Sequence, residues 1–228
     1  MGGAEGAGVS AWAAFRHNRM AVLGLVVVVV ATLGALLAPV LAPYDPAFQE
    51  AFQGGAAGST FLPPSAAHPL GTDNLSRDIL SRILFGARIS LTIGFLAVGI
   101  SVTLGTLLGA VAGYFGGWVD SVIMRFTDMV MAFPRIVLLL VIVALFRPSI
   151  FLIVTALALT QWPFTTRMVR GEFLSLKERE FAEAARALGF SRTRIMFRHL
   201  LPNALGPVIV LATLGIGDTI ILEAGLSF

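Results

Sequence analysis

The chain has 228 residues, 57% of them hydrophobic and only 13% charged, about half the charged share of an ordinary soluble domain. Its net charge of +3 comes from sixteen basic residues scattered over an apolar chain, a pattern that membrane topology explains and nucleic-acid binding does not. With no cysteine, the chain excludes disulfides, thiolate nucleophiles and cysteine-ligated zinc or iron–sulfur centres.

Uncharged stretches mark the membrane spans. Residues 1–19 read as a cytoplasmic tail, and residues 20–42 as an anchor helix. The apolar run after Arg16 and Arg19 is too long for the core of a signal peptide. Met20 to Leu41 suffices to cross a hydrocarbon core of about 30 Å at about 1.5 Å per residue. Residues 43–87 form an external loop. Its first half, Pro43 to Pro64, is rich in glycine, proline, alanine and serine and is expected to be irregular. Thr72 or Asp73 can then cap a helix that places Ile79, Ile83 and Leu84 on one face, which predicts an amphipathic surface helix over Asp73–Gly86.

Residues 88–228 carry the other spans. The second covers Ile89 to Val119, with room for a turn at Gly113 to Gly117. Gly105, Gly109 and Gly113 make a small-residue ridge that permits close approach of another helix. The third begins near Trp118 and carries Asp120, Arg125 and Asp128 in its first turns; Arg125 and Asp128 are spaced to pair, and Pro134 kinks the helix. The fourth lies between Pro148 and Thr166, and the fifth follows Arg198 up to Gly217. The fold class is therefore all-α, a polytopic membrane helical bundle with five spans.

The connection between the last two spans, residues 168–202, belongs to the most basic segment of the chain, with Arg167, Arg170, Lys177, Arg179, Arg186, Arg192, Arg194 and Arg198 in or beside it. Basic loops stay in the cytoplasm, so this one and the N-terminus are expected inside. Ser175-Leu176-Lys177-Glu178 has the spacing of a capping box. The helix it would open carries Phe181, Ala184, Ala185 and Leu188 on one side, with Glu178, Arg179, Glu183 and Arg186 mostly on the rest. Gly189 suits a helix stop, Ser191 caps a second short helix through Ile195 and Arg198, and Pro202 marks the beginning of the last span. A narrow face built largely of alanine inserts poorly into lipid and suits docking on another protein.

Several chemistries are missing. The only lysine, Lys177, follows Leu176, so the chain has no phosphate-binding loop of the glycine–lysine type. His17, His68 and His199 are scattered, with no zinc-protease or serine-hydrolase motif beside them. The spans offer few polar groups to an embedded enzyme beyond Arg125, Asp128, Gln161, Asp218 and Glu223. A secondary transporter with no ATPase partner is the alternative, although no clear internal repeat supports it.

Glu183-Ala184-Ala185, then Gly189, nine residues, and His199-Leu200-Leu201-Pro202 resemble the EAA motif of type I importer permeases of the ABC superfamily. Within that superfamily the chain resembles the second, C-type permease of dipeptide, oligopeptide and nickel transporters. The similarity extends to His68-Pro69-Leu70-Gly71-Thr72-Asp73, to Ser76-Arg77-Asp78, where glycine is more usual than Ser76, to Gly86–Leu91, Gly113–Gly117, Ala132-Phe133-Pro134 and Glu223–Phe228. The resemblance implies a heterodimer with a second permease, two cytoplasmic ATPase subunits that carry ATP and magnesium, an external solute-binding protein, and residence in a bacterial or archaeal cell membrane. It also implies that Phe181, Glu183, Ala184, Ala185, Leu188, Gly189, His199 and Pro202 form the ATPase-docking joint, that this chain binds no cofactor and catalyses nothing, and that the substrate is a peptide, nickel or a related solute. Members of that subfamily have a sixth span beyond the Leu-Ser-Phe segment, so a chain stopping at Phe228 reads as truncated or partial.

Overall fold

The computed structural model describes residues 13–49, 60–147 and 149–226. The first part of the tail, much of the segment expected to be irregular between Pro43 and Pro64, Pro148 and the end of the Leu-Ser-Phe segment lie outside the described residues. The chain divides between Leu91 and Thr92 into two units.

In the first unit, helix α1 spans Arg19–Leu36 and is capped by Asn18, whose side chain accepts from the N–H groups of Met20 and Ala21. Its valines from Val26 to Val30 are exposed, as befits a helix whose surroundings are lipid. Pro39 occupies the first turn of a short helix, α2, over Ala38–Leu41.

The expected helix over Asp73–Gly86 is not what forms. Residues 60–78 fold as a compact loop, and α3 begins at Ile79 and runs without a break to Phe115, so surface segment and second span are one helix of 37 residues. Asp78, not Thr72 or Asp73, caps it, accepting from the Ser81 N–H at 2.8 Å and the Ser81 hydroxyl at 2.7 Å. His68 Nδ1 lies 3.0 Å from Asp78 Oδ1, and the His68 ring stacks on Tyr44 with centroids 4.9 Å apart. Asp73 instead closes the loop behind it, accepting from the N–H groups of Leu75 and Arg77 and from the Arg77 and Arg82 guanidiniums. Burial raises the Asp73 pKa, but these donors outweigh it and bring the carboxyl down to about 2. Asp78 has the same balance: burial raises its pKa, and the Ser81 and His68 bonds together lower it below the usual value. Ser76 sits at φ +57°, a left-handed conformation that explains why glycine suits this position better.

In the second unit, Gly116 and Gly117, both at positive φ, turn the chain from α3 into α4, Gly117–Met131. The third span is not one kinked helix: α4 ends before Pro134, α5 covers Arg135–Leu145, and the two are bent by 75°. Helix α6, Ile150–Leu176, is the buried centre, with Leu157, Thr165, Thr166, Val169 and Phe173 nearly or fully inaccessible. Around its two ends lie two cores, one built on Ile93, Ala97, Leu139, Val154 and Leu157 and the other on Ala110, Val169, Phe173, Ile195 and Leu200.

Helix α6 also runs through Ser175, so the expected capping box does not form; the Lys177 N–H still bonds back to the Phe173 carbonyl. Helix α7 opens later, over Glu180–Ala187, from Arg179. The expected second short helix is the first part of the last span. Its opening turn α8, Arg192–Arg194, accepts the Ser191 cap and passes through a π-helical turn over Ile195–Leu200 into α9, Leu201–Leu226. Pro202 thus lies inside a continuous helix, directly after a turn whose looser ladder accommodates its missing N–H.

Three helices are long and apolar enough to cross a membrane, Arg19–Leu36, Ile79–Phe115 and Arg192–Leu226, and the bent α4–α5 pair makes a fourth candidate. Five spans were expected. Helix α6 is long enough but too polar, because it carries Thr160, Gln161, Thr165 and Thr166 inward and two arginines near its end. Among the described residues the chain is an all-α membrane bundle.

Candidate functional site

The expected docking joint is built from the end of α6, α7 and the opening turns of the last span. Ala182 and Ala185 of α7 are buried, at 0% and 4% exposure, against the core that holds Val169, Phe173 and Ile195. Ala185 was expected on the outward face; it is under the helix. Phe181, Ala184 and Leu188 face out, with Phe181 38% and Leu188 72% exposed, and their spacing puts them on one stripe. Glu183 is exposed beside this stripe, 4.0 Å from Arg186.

Gly189 ends α7 at φ +74°. The Gly189 N–H bonds to the Arg186 carbonyl at 2.9 Å and the Phe190 N–H to the Ala185 carbonyl at 3.2 Å, the paired bonds of a Schellman stop. Phe190 folds back on the core, the Arg194 guanidinium lies 4.1 Å from its ring centroid, and His199 stacks on it at 5.5 Å. His199 is thus a brace for the stop. Pro202 is exposed two residues beyond the π-helical turn.

This joint is tied to the bundle. The glycine ridge of α3 lies against α6: a Cβ on Gly105 would stand 2.5 Å from the Thr165 Cβ, one on Gly109 2.6 Å from the Thr166 carbonyl oxygen, and one on Gly113 2.6 Å from the Phe173 Cβ. Lys177 Nζ donates to the Gly113 carbonyl at 3.1 Å. Arg170 and Arg167 of α6 reach α4 at Asp120 and Asp128. The pair expected between Arg125 and Asp128 is replaced by the Arg167 bridge from the neighbouring helix. Sequence spacing alone could suggest only the local partner, and Lys177 offered no signal beyond being the sole lysine.

A second polar group lies deeper in the same unit. Arg135, at the break between α4 and α5, reaches Gln161 at 3.3 Å and Thr160 at 3.5 Å, and the Thr219 hydroxyl donates to Gln161 Oε1 at 3.0 Å. Arg135, Gln161 and Asp218 line a cavity of about 250 Å³. Arg135 was not among the residues expected to matter. A charge at a helix break inside a span is the signal that could have singled it out.

One group is an outward-facing stripe with two large apolar residues and the other a polar chamber. Residues 105–228 match the family described as binding-protein-dependent transport system inner membrane component, and residues 8–64 match the N-terminal TM domain of oligopeptide transport permease C. The chain is 48% identical over 165 residues to the dipeptide transport system permease protein DppC of Alkalihalophilus pseudofirmus, covering 72% of this chain and 54% of the relative. It is 44% identical to the glutathione transport system permease protein GsiD of Pectobacterium atrosepticum, over 72% of this chain and 55% of the relative. To the oligopeptide transport system permease protein OppC of Bacillus subtilis it is 35% identical, over 94% of this chain and 68% of the relative. The chain therefore spans little more than half the length of the first two of these relatives. With both of its ends matched by this family's models and its helices arranged as a multi-pass membrane bundle, the chain belongs to the binding-protein-dependent transport system inner membrane components, as a C-type subunit of the ABC peptide importer permeases.

Proposed function

We propose that this chain is one of two membrane-spanning subunits of an ATP-driven importer of peptides or a related small solute, and that its joint over residues 168–202 docks a separate ATPase. The observation that carries this reading is the exposed Phe181–Ala184–Leu188 stripe on α7, backed by buried Ala182 and Ala185 and terminated at Gly189. A short helix with two large apolar anchors and a small residue between them fits a shallow groove on a partner.

In this reading the basic joint and the N-terminus face the cytoplasm of a bacterial or archaeal cell, in its inner or plasma membrane. A second permease subunit completes the pathway, two ATPase subunits hold ATP and magnesium, and an external solute-binding protein delivers the cargo. The chain itself catalyses nothing. The names of its relatives, which specify dipeptides, glutathione and oligopeptides, favour peptides over nickel as cargo. Closure of the ATPases on ATP moves α7, and the movement passes into α6, through the Asp120–Arg170 bridge into α4 and through the glycine contact into α3. The switch requires only that each ATPase state bind one arrangement of the spans better than the other.

The test is co-purification with ATPase subunits co-expressed with this chain. Replacing Phe181 by Ala together with Leu188 by Glu is expected to release the ATPase while the chain stays in the membrane. Normal uptake and an intact complex in that variant would overturn the reading, as would labelling of a cysteine at position 188 from outside intact cells.

A further inference from the structure

The chamber between α5, α6 and α9 is lined by one cation and one anion, Arg135 and Asp218, that form no direct ion pair. The Arg135 guanidinium lines the 250 Å³ cavity and also an adjoining one of about 210 Å³. It has five N–H donors, of which two make long bonds to neutral oxygens, at 3.3 and 3.5 Å. Asp218 lines the larger cavity, and among the described residues its carboxylate takes no hydrogen bond and no ion pair within 4.0 Å. Two opposite charges that face one cavity without bonding to each other leave room for a guest that meets both.

The surroundings are arranged for such a guest. Helix α5 begins at Arg135, and Pro134 at its cap position supplies no side-chain acceptor, so the first N–H groups of α5 have no side-chain cap. Gln161 Oε1 accepts from Arg135, which leaves its NH₂ group as a donor, and the Thr219 hydroxyl beside it shares its one hydrogen with the Gly215 carbonyl at 2.7 Å. Gly215 makes the room: a Cβ there would stand 2.7 Å from Gln161 Nε2.

The geometry points to a zwitterion site, in which Arg135 and the α5 N-terminus take the carboxylate of a short peptide and Asp218 takes its ammonium group. The cavity is at the small end of ligand-sized chambers, which suits the main chain of a dipeptide and not a long peptide. The inference rests on the importer reading above and adds to it a cargo class and the groups that recognise it.

The test uses the complete transporter, with the second permease and the ATPases, in nanodiscs and without its solute-binding protein, so that the receptor's own selectivity does not enter. Binding of dialanine is compared with that of its C-terminal amide and its N-acetyl derivative. Wild type is expected to bind dialanine at least about tenfold more tightly than either derivative, the effect of losing one charge-assisted bond. Arg135→Gln should erase the preference over the amide and keep that over the N-acetyl compound; Asp218→Asn should do the reverse; Arg135→Lys should restore part of the first. If the two neutral variants weaken all three probes equally, or if wild type does not discriminate, the zwitterion site is wrong. Absence of an ATPase from the purified complex would overturn the importer reading instead, and the same binding comparison on what remains still decides the site.

Discussion

Arg170 and Asp120 hold each other by two parallel bonds, Nε to Oδ1 and Nη2 to Oδ2, each 2.5 Å long, across fifty residues of sequence. The pair joins α6 to α4 close to the joint, and both side chains are largely shielded, with 31% and 16% of their surface accessible. A two-pronged arginine–carboxylate pair fixes angle as well as distance, which a lysine could not do. Asp120→Asn and Arg170→Gln are each expected to destabilise the solubilised protein by about 1–3 kcal/mol, because each leaves a shielded charge without its partner. Thermal unfolding of the two single variants and the double variant checks this: the double should be less impaired than the sum of the singles. Additive losses would mean that the bridge carries no coupling.

The glycine ridge makes a prediction with its own internal control. A Cβ on Gly109 would stand 2.6 Å from the Thr166 carbonyl oxygen and 2.8 Å from the Val169 Cβ, backbone and buried side chain that have nowhere to go. At Gly99, nearly three turns earlier on the same helix, a Cβ would have nothing within 4 Å. Gly109→Ala should lower stability by about 1–3 kcal/mol through overpacking, and Gly109→Leu should prevent α3 and α6 from closing. Gly99→Ala should be neutral or slightly stabilising, since alanine is the better helix former. Monodispersity and melting temperature in detergent read both. Equal tolerance at the two positions would remove the close α3–α6 contact from the argument.

What could be read from the sequence was what a local rule dictates. The glycine spacing on α3, the stop at Gly189 and the Ser191 cap each need only a few neighbouring residues, and each stands where the pattern put it. Where two local rules competed, the sequence could not choose. Both Asp73 and Asp78 can cap a helix, and Asp73 lost because the turn through Leu75 and Arg77 claimed its carboxylate. Ser175 can start a helix, but α6 was already running through it. Contacts between distant segments left no trace at all. Asp128 chose Arg167 over nearby Arg125, and the chamber around Arg135 needs α5, α6 and α9 together before its two charged residues can be recognised as neighbours.

At Gly189 the demand is conformational and not steric. No atom lies within 4 Å of where a Cβ would be, yet φ is +74°. An alanine there should cost about 1–2 kcal/mol, a β-branched residue more, and asparagine, which tolerates the left-handed region, less. The expected order of ATPase retention on the purified complex is therefore glycine, asparagine, alanine, valine. A space-filling explanation would predict no order, since nothing is there to be struck, and a flat series would show that the Schellman stop does not govern docking.

The loop over residues 60–78 should come undone in acid and not in base. Asp73 is held at about 2 against an ordinary value of 3.8, so its carboxylate contributes stability that is complete above about pH 4 and is lost as pH falls through about 2. The contribution is about 2 kcal/mol for a shift of this size. Asp78, also lowered, adds in the same direction and over the same acidic range. Hydrogen exchange or protease resistance of residues 60–78 should accordingly be flat from pH 7 to about 5 and fall steeply below about 4. Asp73→Asn should start from lower protection at pH 7 and show a shallower acid limb, with Asp78 alone left to titrate. An acid limb that was the same in Asp73→Asn as in the wild type would mean that the Asp73 cluster does not set the stability of this loop.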